Sequence, residues 1–256
     1  MSKYLKVAIE AAQASGKVLS KCFNTGIKAI HKKGTQYVTL ADYESQDVIK
    51  KIIKEYYPAH NIFSEEAEYE DNKSNYTWYI DPLDGTHNYI RNLPIFGVSI
   101  ALTHKDNVVV GVTHFPMFKK IYYTENGKGA FMNGKRIHVS KFKPEDSYTL
   151  LLELKNEARD ISSKFLKVIK DEKNKTRAFG CSSYSLSLLA EGNVEAFVTF
   201  DTNLYDVGAG IILVEEAGGR VTDIHGKKWK TTTKDFVFSN RLLHNRILSS
   251  IKKAGL

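Results

Sequence analysis

The segment Trp78-Tyr79-Ile80-Asp81-Pro82-Leu83-Asp84-Gly85-Thr86-His87-Asn88-Tyr89 concentrates residues that can do chemistry. An apolar run delivers two carboxylates, Asp81 and Asp84, three positions apart. Pro82 stiffens the turn between them, and Gly85 lets the backbone approach a ligand closely. A helix opened by Gly85-Thr86-His87 would present free N–H groups, which make an anion site. Carboxylates for hard cations beside a phosphate cradle suit phosphoryl chemistry, because the cations neutralise phosphate charge and lower the pKa of a bound water.

Two carboxylates do not hold two such cations, and further acids stand at the ends of predicted elements. Glu65-Glu66 follows Phe63-Ser64, Asp42 follows Val38-Thr39-Leu40-Ala41, and Asp206 follows Leu204-Tyr205. Element ends are where α/β sheets place their chemistry. Each acid also has an ordinary reading: Asp42 and Asp206 as helix N-caps, Glu65-Glu66 as solvated surface, Asp84-Gly85 as a plain turn. Singly, the N-cap reading is the stronger one for Asp42 and Asp206. Together, in this order and spacing, the acids read as one site.

The elements that must position these groups follow from hydrophobic periodicity. Tyr4, Val7, Ala11, Ala14 and Val18 form one stripe, which predicts a helix over residues 3–22. A second helix runs from Ala41 to Tyr56 and is stopped by Pro58. Asn61–Phe63 and Trp78–Ile80 read as strands, with a polar loop or lid from Glu68 to Asn75 between them. Strands at Phe96–Thr103, Val108–Phe115 and Ile121–Thr124 form a meander, followed by a turn-rich stretch from Glu125 to Gly134. The second half alternates: strand Leu150–Leu152, helix Ser162–Ile169, helix Ser182–Ala190, strand Glu195–Phe200, helix Val207–Ala217, strand Phe236–Phe238, helix Leu242–Ile251. This is a layered α/β arrangement, with a joint between halves 1–142 and 143–256.

Composition narrows the function classes. At 256 residues, 42% hydrophobic and 26% charged, the chain can bury a large core without disulfides or a structural metal. Cys22 and Cys181 are far apart and no CxxC motif occurs, which argues against a zinc or thiolate site. The N-terminal segment, interrupted by lysines, does not read as a signal peptide, and no run of 18 apolar residues exists. A cytoplasmic protein is expected, with the N-x-S/T sites at Asn72 and Asn174 as chance matches. The net charge of +8 is spread along the chain rather than focused on one helix or interleaved with aromatics, so it reads as solvated surface rather than a nucleic-acid face.

The motifs resemble the inositol monophosphatase family. Ile80-Asp81-Pro82-Leu83-Asp84-Gly85-Thr86 matches its first signature, and Tyr205-Asp206-Val207-Gly208-Ala209-Gly210, ending in Glu216-Ala217-Gly218-Gly219, matches its second. Val38-Thr39-Leu40-Ala41-Asp42, Ser64-Glu65-Glu66-Ala67 and Gly127–Gly134 are similar to further family elements. The resemblance implies an αβαβα sandwich, usually dimeric, that binds two or three Mg²⁺ ions, is inhibited by lithium and hydrolyses a small phosphorylated metabolite. It implies that Glu65, Asp81 and Asp84 bind Mg²⁺ through side chains, Leu83 through its carbonyl, and Asp206 both metal and substrate. It implies that Asp42, Thr86 and Glu65 act in catalysis, the first two by orienting the attacking water. Asp84, the backbone of Gly85 and Thr86, and Ser182 would hold the substrate, Glu66 would support the site, and Lys32 or Lys33 would match a family lysine.

The sequence departs from the family pattern in places. His87 stands for a second threonine, Ser64 and Ala67 flank the glutamates, and Tyr205 replaces tryptophan. The glutamate by which inositol-specific members bind a sugar hydroxyl is missing from Val198–Asn203, where Asp201 offers a differently spaced substitute. The expected reaction is hydrolysis of inositol 1-phosphate. The alternatives are 3′-phosphoadenosine 5′-phosphate, histidinol phosphate or fructose 1,6-bisphosphate as substrate, or a non-catalytic member that binds nucleic acid or protein.

Overall fold

The computed structural model describes residues 1–32, 37–143, 145, 147–156, 158–170 and 172–256. Lys33, one of the two candidate family lysines, lies outside the described residues.

In chain order the elements are α1 (Lys3–Cys22), β1 (Ala29–His31), β2 (Tyr37–Thr39), α2 (Leu40–Tyr56), β3 (Asn61–Ser64), β4 (Tyr76–Asp84), α3 (Thr86–Ile90), β5 (Gly97–His104), β6 (Asn107–Phe115), β7 (Lys120–Glu125), β8 (Ala130–Met132) and β9 (Lys135–Ile137). There follow β10 (Tyr148–Leu152), α4 (Arg159–Ile169), β11 (Asn174–Arg177), α5 (Ser182–Ala190), β12 (Ala196–Thr199), α6 (Leu204–Glu216), β13 (Arg220–Asp223), β14 (Phe236–Ser239) and α7 (His244–Lys253).

Strands β3 to β9 form a seven-stranded sheet in sequence order, and a five-stranded sheet runs β11-β10-β12-β14-β13. The chain passes from the first sheet to the second between Ile137 and Tyr148. Helices α1 and α2 pack on one face of the larger sheet, while α5 and α6 lie between the sheets and touch both. Helix α7 packs on β14 and against α4, closing the outer face of the smaller sheet. The layers are therefore α, β, α, β, α, as the resemblance implied.

Burial explains each layer. Helix α1 hides Leu5, Ala8, Ala11, Ala12 and Leu19 on one stripe, with Ser2 accepting the Leu5 N–H at its N-terminus. Helix α6 is apolar on all sides, with Val207 through Val214 buried, which is what a helix sandwiched between two sheets requires. Its glycines let neighbours close in: a Cβ on Gly210 would meet Leu186 of α5 at 2.2 Å. The exposed 65–75 segment is tied down rather than free as a lid. Asn61 accepts the N–H groups of Asn72 and Ser74, Ile62 bridges Glu70, and Lys54 pairs with Glu70 at 2.7 Å.

Candidate active site

Strand β4 ends in a bulge, and the bulge decides the site. Ladder partners run Asp81↔Ser99 and then Asp84↔Gly97, so the β4 side carries one residue more than β5. In a regular strand, residues three apart point to opposite faces. The extra residue reverses that parity, and both aspartates reach one cavity. Pro82, which has no N–H for a ladder, sits within the irregularity, and its carbonyl accepts the Ser45 hydroxyl of α2 at 2.7 Å. Gly85 then turns the chain into α3 with φ +88°, and a Cβ there would meet the Ile95 carbonyl oxygen at 2.7 Å. Only glycine meets both constraints. Asn88 clamps α3 by donating to the carbonyls of Ile95 and Phe179.

Parallel pairing brings the next acid alongside. Ser64 of β3 registers with Ile80 of β4, and the Glu65 N–H donates to the Ile80 carbonyl at 3.1 Å. Glu65 thus stands beside Asp81. Lys32 forms an ion pair with Glu66 and lies 3.9 Å from Glu65, so Lys32 is the described lysine that approaches the site.

Asp42 and Asp206 each sit three residues inside a helix rather than at its N-cap, and each closes a capping box. This corrects the N-cap reading, and helix α6 begins at Leu204 rather than Val207. One oxygen of each aspartate does the capping. Asp42 Oδ2 accepts the Thr39 N–H and hydroxyl, both at 2.7 Å. Asp206 Oδ2 accepts the Asn203 N–H at 3.1 Å, the Thr202 hydroxyl at 2.9 Å and the Lys155 ammonium at 3.1 Å. The second oxygen of Asp42 faces Thr86 Oγ1 at 3.3 Å, and that hydroxyl also lies 2.9 Å from the Leu83 carbonyl. Asp42 is fully buried and bears on the cavity through Thr86 rather than lining it.

These elements surround a cavity of about 470 Å³ lined by Glu65, Asp81, Leu83, Asp84, Gly85, Thr86, His87, Glu153, Lys155, Ser182, Tyr205 and Asp206, among others. Its lining thus holds five carboxylates and one ammonium. The crowding shows in their acidity. Burial, then the charges of Asp206 and Glu66, raises Glu65 to about 8. Burial, then Glu65, Asp84 and Asp206, pushes Asp81 well above the usual carboxylate range. Burial raises Asp84 despite its hydrogen bonds, and burial opposed by Thr39 leaves Asp42 at about 6. Among the described residues no three carboxylate, imidazole or thiolate groups stand closed to coordination spacing. The acids line the cavity without meeting at a point, as like charges do.

A donor set of carboxylates plus a backbone carbonyl, without histidine or cysteine, fits a hard divalent cation. Asp81 donates nothing but accepts the Leu83 N–H on Oδ1 alone, which leaves Oδ2 for a ligand. Asp84 is gripped from α5 by the N–H groups of Ser182 at 3.2 Å and Ser183 at 2.6 Å, and by the Cys181 thiol at 3.2 Å.

The sequence profile of the inositol monophosphatase family matches residues 1–256. The chain belongs to the inositol monophosphatase family. A fructose-1,6-bisphosphatase/inositol-1-monophosphatase of Aquifex aeolicus is 35% identical over 99% of this chain and 97% of its own length. The Nus factor SuhB of Escherichia coli K12 is 31% identical over 98% and 97%. Among solved structures, the Thermotoga maritima IMPase superposes with a TM-score of 0.91 at 32% identity, covering 99% of this chain and 98% of that one. Inositol monophosphatase family membership makes the chain a phosphoric monoester hydrolase by class.

Glu153 and Lys155, which line the cavity from the end of β10, are not singled out by the sequence. Glu153 had a readable cue, an acid directly after the apolar strand Leu150–Leu152, the same cue that marked Glu65. Asp201 does not line the cavity; its carbonyl, not its carboxylate, turns inward to accept from Lys155 at 3.3 Å. His87 is exposed at the cavity edge with its ring near Tyr37, and Tyr205 stacks on Phe63.

Proposed function

We propose that the chain hydrolyses a small phosphate monoester, inositol 1-phosphate foremost, with two or three Mg²⁺ ions, as a lithium-sensitive cytoplasmic homodimer. The observation that carries this reading is the charge of the cavity. Five carboxylates face one ammonium, so a phosphate dianion enters only with divalent cations between it and the acids. Glu65, Asp81, Asp84 and Asp206 would hold the ions by side chain and Leu83 by its carbonyl. When bound, Mg²⁺ supplies Lewis-acid stabilisation of the phosphate charge and a more acidic water.

The chain's own groups do the rest. Thr86 Oγ1 accepts a hydrogen from the attacking water and passes its own to Asp42 Oδ1, which ends protonated; an acid near 6 is suited to that exchange. The N–H groups of Gly85 and Thr86, without intrahelical acceptors, hold the phosphate in line. The new bond joins water oxygen to phosphorus, the ester P–O bond breaks, and the departing alkoxide takes a proton from solvent at the open mouth.

A second substrate has its own support. Relatives from Aquifex aeolicus and Thermotoga maritima carry fructose-1,6-bisphosphatase in their names at 35% and 36% identity, so fructose 1,6-bisphosphate belongs beside inositol 1-phosphate in the test. The test is phosphate release from these two esters, 3′-phosphoadenosine 5′-phosphate and histidinol phosphate, with Mg²⁺ and with chelator. Release from at least one ester, abolished by chelator, is the expected outcome. Inertness on all four, together with salt-sensitive RNA binding, would return the protein to the binding reading.

A further inference from the structure

The fifth carboxylate of the cavity, Glu153, is set by the smaller sheet and is held less than Asp84 or Asp206. Glu153 follows β10 by one residue, and its N–H donates to the Val198 carbonyl of β12 at 3.1 Å, so its backbone continues the sheet ladder. Its position is therefore fixed by the smaller sheet, whereas the 81–85 bulge belongs to the larger one. The carboxylate receives one side-chain hydrogen bond, a long one of 3.4 Å from Ser182 Oγ. Among the described residues no ammonium or guanidinium stands within ion-pair distance of it. Lys155, two positions on, keeps its ammonium on Asp206 Oδ2 and the Asp201 carbonyl.

A carboxylate offers about four acceptor positions, and burying them without donors is costly. Asp84 accepts three hydrogen bonds from the protein and Asp206 Oδ2 three more; Glu65 and Asp81 also keep open acceptors, and they stand side by side at the end of the β3–β4 pair, where the ions would be held. The acceptors of Glu153 are left for a ligand. In a phosphate monoester the phosphate oxygens are acceptors and carry negative charge, so they are repelled from this group. The donors are the hydroxyls of the alcohol half.

Resting on the phosphatase reading above, we propose that Glu153 sets specificity on the alcohol side: its carboxylate accepts hydrogen bonds from a hydroxyl adjacent to the scissile ester and so selects polyol phosphates over phosphates of alcohols that lack further hydroxyls. The ligand class is a cyclic or linear polyol monophosphate, with phosphate at the bulge and hydroxyls toward β10. A site that hydrogen-bonds a substrate hydroxyl discriminates strongly against an analogue without it, because its polar group is then left unpaired.

The test compares kcat/KM for inositol 1-phosphate and p-nitrophenyl phosphate in saturating Mg²⁺, for wild type, Glu153→Gln and Glu153→Ala, with Mg²⁺ affinity of each protein measured by calorimetry. The alanine variant is expected to lose about ten- to hundredfold more on the polyol ester than on the aryl ester, with Mg²⁺ affinity within about twofold of wild type. The glutamine variant, matched in shape, is expected to show the same split at smaller size and covers the case in which alanine unfolds the site. Equal losses on both esters, or a loss that tracks weakened Mg²⁺ binding, would overturn the assignment while leaving the phosphatase reading intact. A wild type that hydrolyses other esters but not inositol 1-phosphate would overturn this assignment alone, and inertness on every ester tested would remove the phosphatase reading with it.

Discussion

The two walls of the cavity follow opposite designs. On the wall from β3, β4 and the helix starts, the protein holds most of the acids in place: three donors hold Asp84, three hold Asp206 Oδ2, Thr39 and Thr86 hold Asp42, and the Leu83 N–H holds Asp81 Oδ1. On the wall from residues 153–156, Glu153 has one long hydrogen bond and Leu154 is exposed. The first wall is preorganised, which is what stabilising charge in a transition state needs. On the second, the Glu153 carboxylate leaves acceptor capacity to be completed by the alcohol. Reaction type is thus set by groups locked in the fold, and substrate choice by groups that fewer contacts constrain.

The sharpest way to break this contrast is at Asp84. Asn in its place brings an NH₂ group toward three donors and removes a charge, so Asp84→Asn is expected to lower kcat by about a hundredfold or more, some 2.7 kcal/mol of transition-state stabilisation. Steady-state phosphate release on any accepted ester measures it. Activity near wild type would remove Asp84 from the site and the first wall from catalysis.

Thr86→Ala comes next. Without the hydroxyl, Asp42 loses its route to the water, and a loss of about ten- to hundredfold in kcat is expected. Thr86→Ser keeps the oxygen and should recover most of that loss. A serine variant as poor as alanine would mean that the threonine methyl, not the proton path, matters there. On the opposite wall, Lys155→Met should do less. Removing the ammonium from Asp206 Oδ2 makes the cavity more negative, so Mg²⁺ binding is expected to tighten by about threefold by calorimetry. Weakened binding would place Lys155 among the groups that organise Asp206 for the ion.

The same contrast explains how far the sequence could be read. The locked wall lies in motifs, and Asp81, Asp84, Glu65 and Asp206 are all legible in the sequence as acids of one site. What sequence spacing hides is parity: Asp81 and Asp84 are three apart, and only the ladder with β5 reveals the extra residue that turns both inward. The choice between cap and site was also a false one for Asp42 and Asp206, because a carboxylate has two oxygens and each residue uses one for its helix. The long amphipathic helices were legible from their stripes. Strands β1 and β11 were not, since Ala29–His31 is exposed throughout and Asn174–Arg177 has no apolar alternation and is held by pairing with β10. Glu153 carried the cue of an acid after a strand but belonged to no motif, as expected of a wall that sets preference rather than chemistry.

The smallest effect, and the one that reads the locked wall without any mutation, is the pH dependence of stabilisation by Mg²⁺. Burial and neighbouring charges raise Glu65 to about 8 and Asp42 to about 6, so between the ordinary carboxylate range and about pH 8 the folded protein binds more protons than the unfolded chain. Stability contributed by these groups is therefore present at low pH and is lost as pH rises through that window. Divalent cations reverse the penalty, because ionised carboxylates are their ligands and ion binding displaces the protons. In thermal unfolding, the rise in Tm on adding Mg²⁺ over chelator is expected to be larger at pH 8 than at pH 5, by about 2–4 °C for each kcal/mol of added binding energy. Taking the difference at each pH cancels groups elsewhere, such as His244, whose burial lowers it to about 4. An equal Mg²⁺ shift at both pH values would mean that the ions are not seated among these crowded acids.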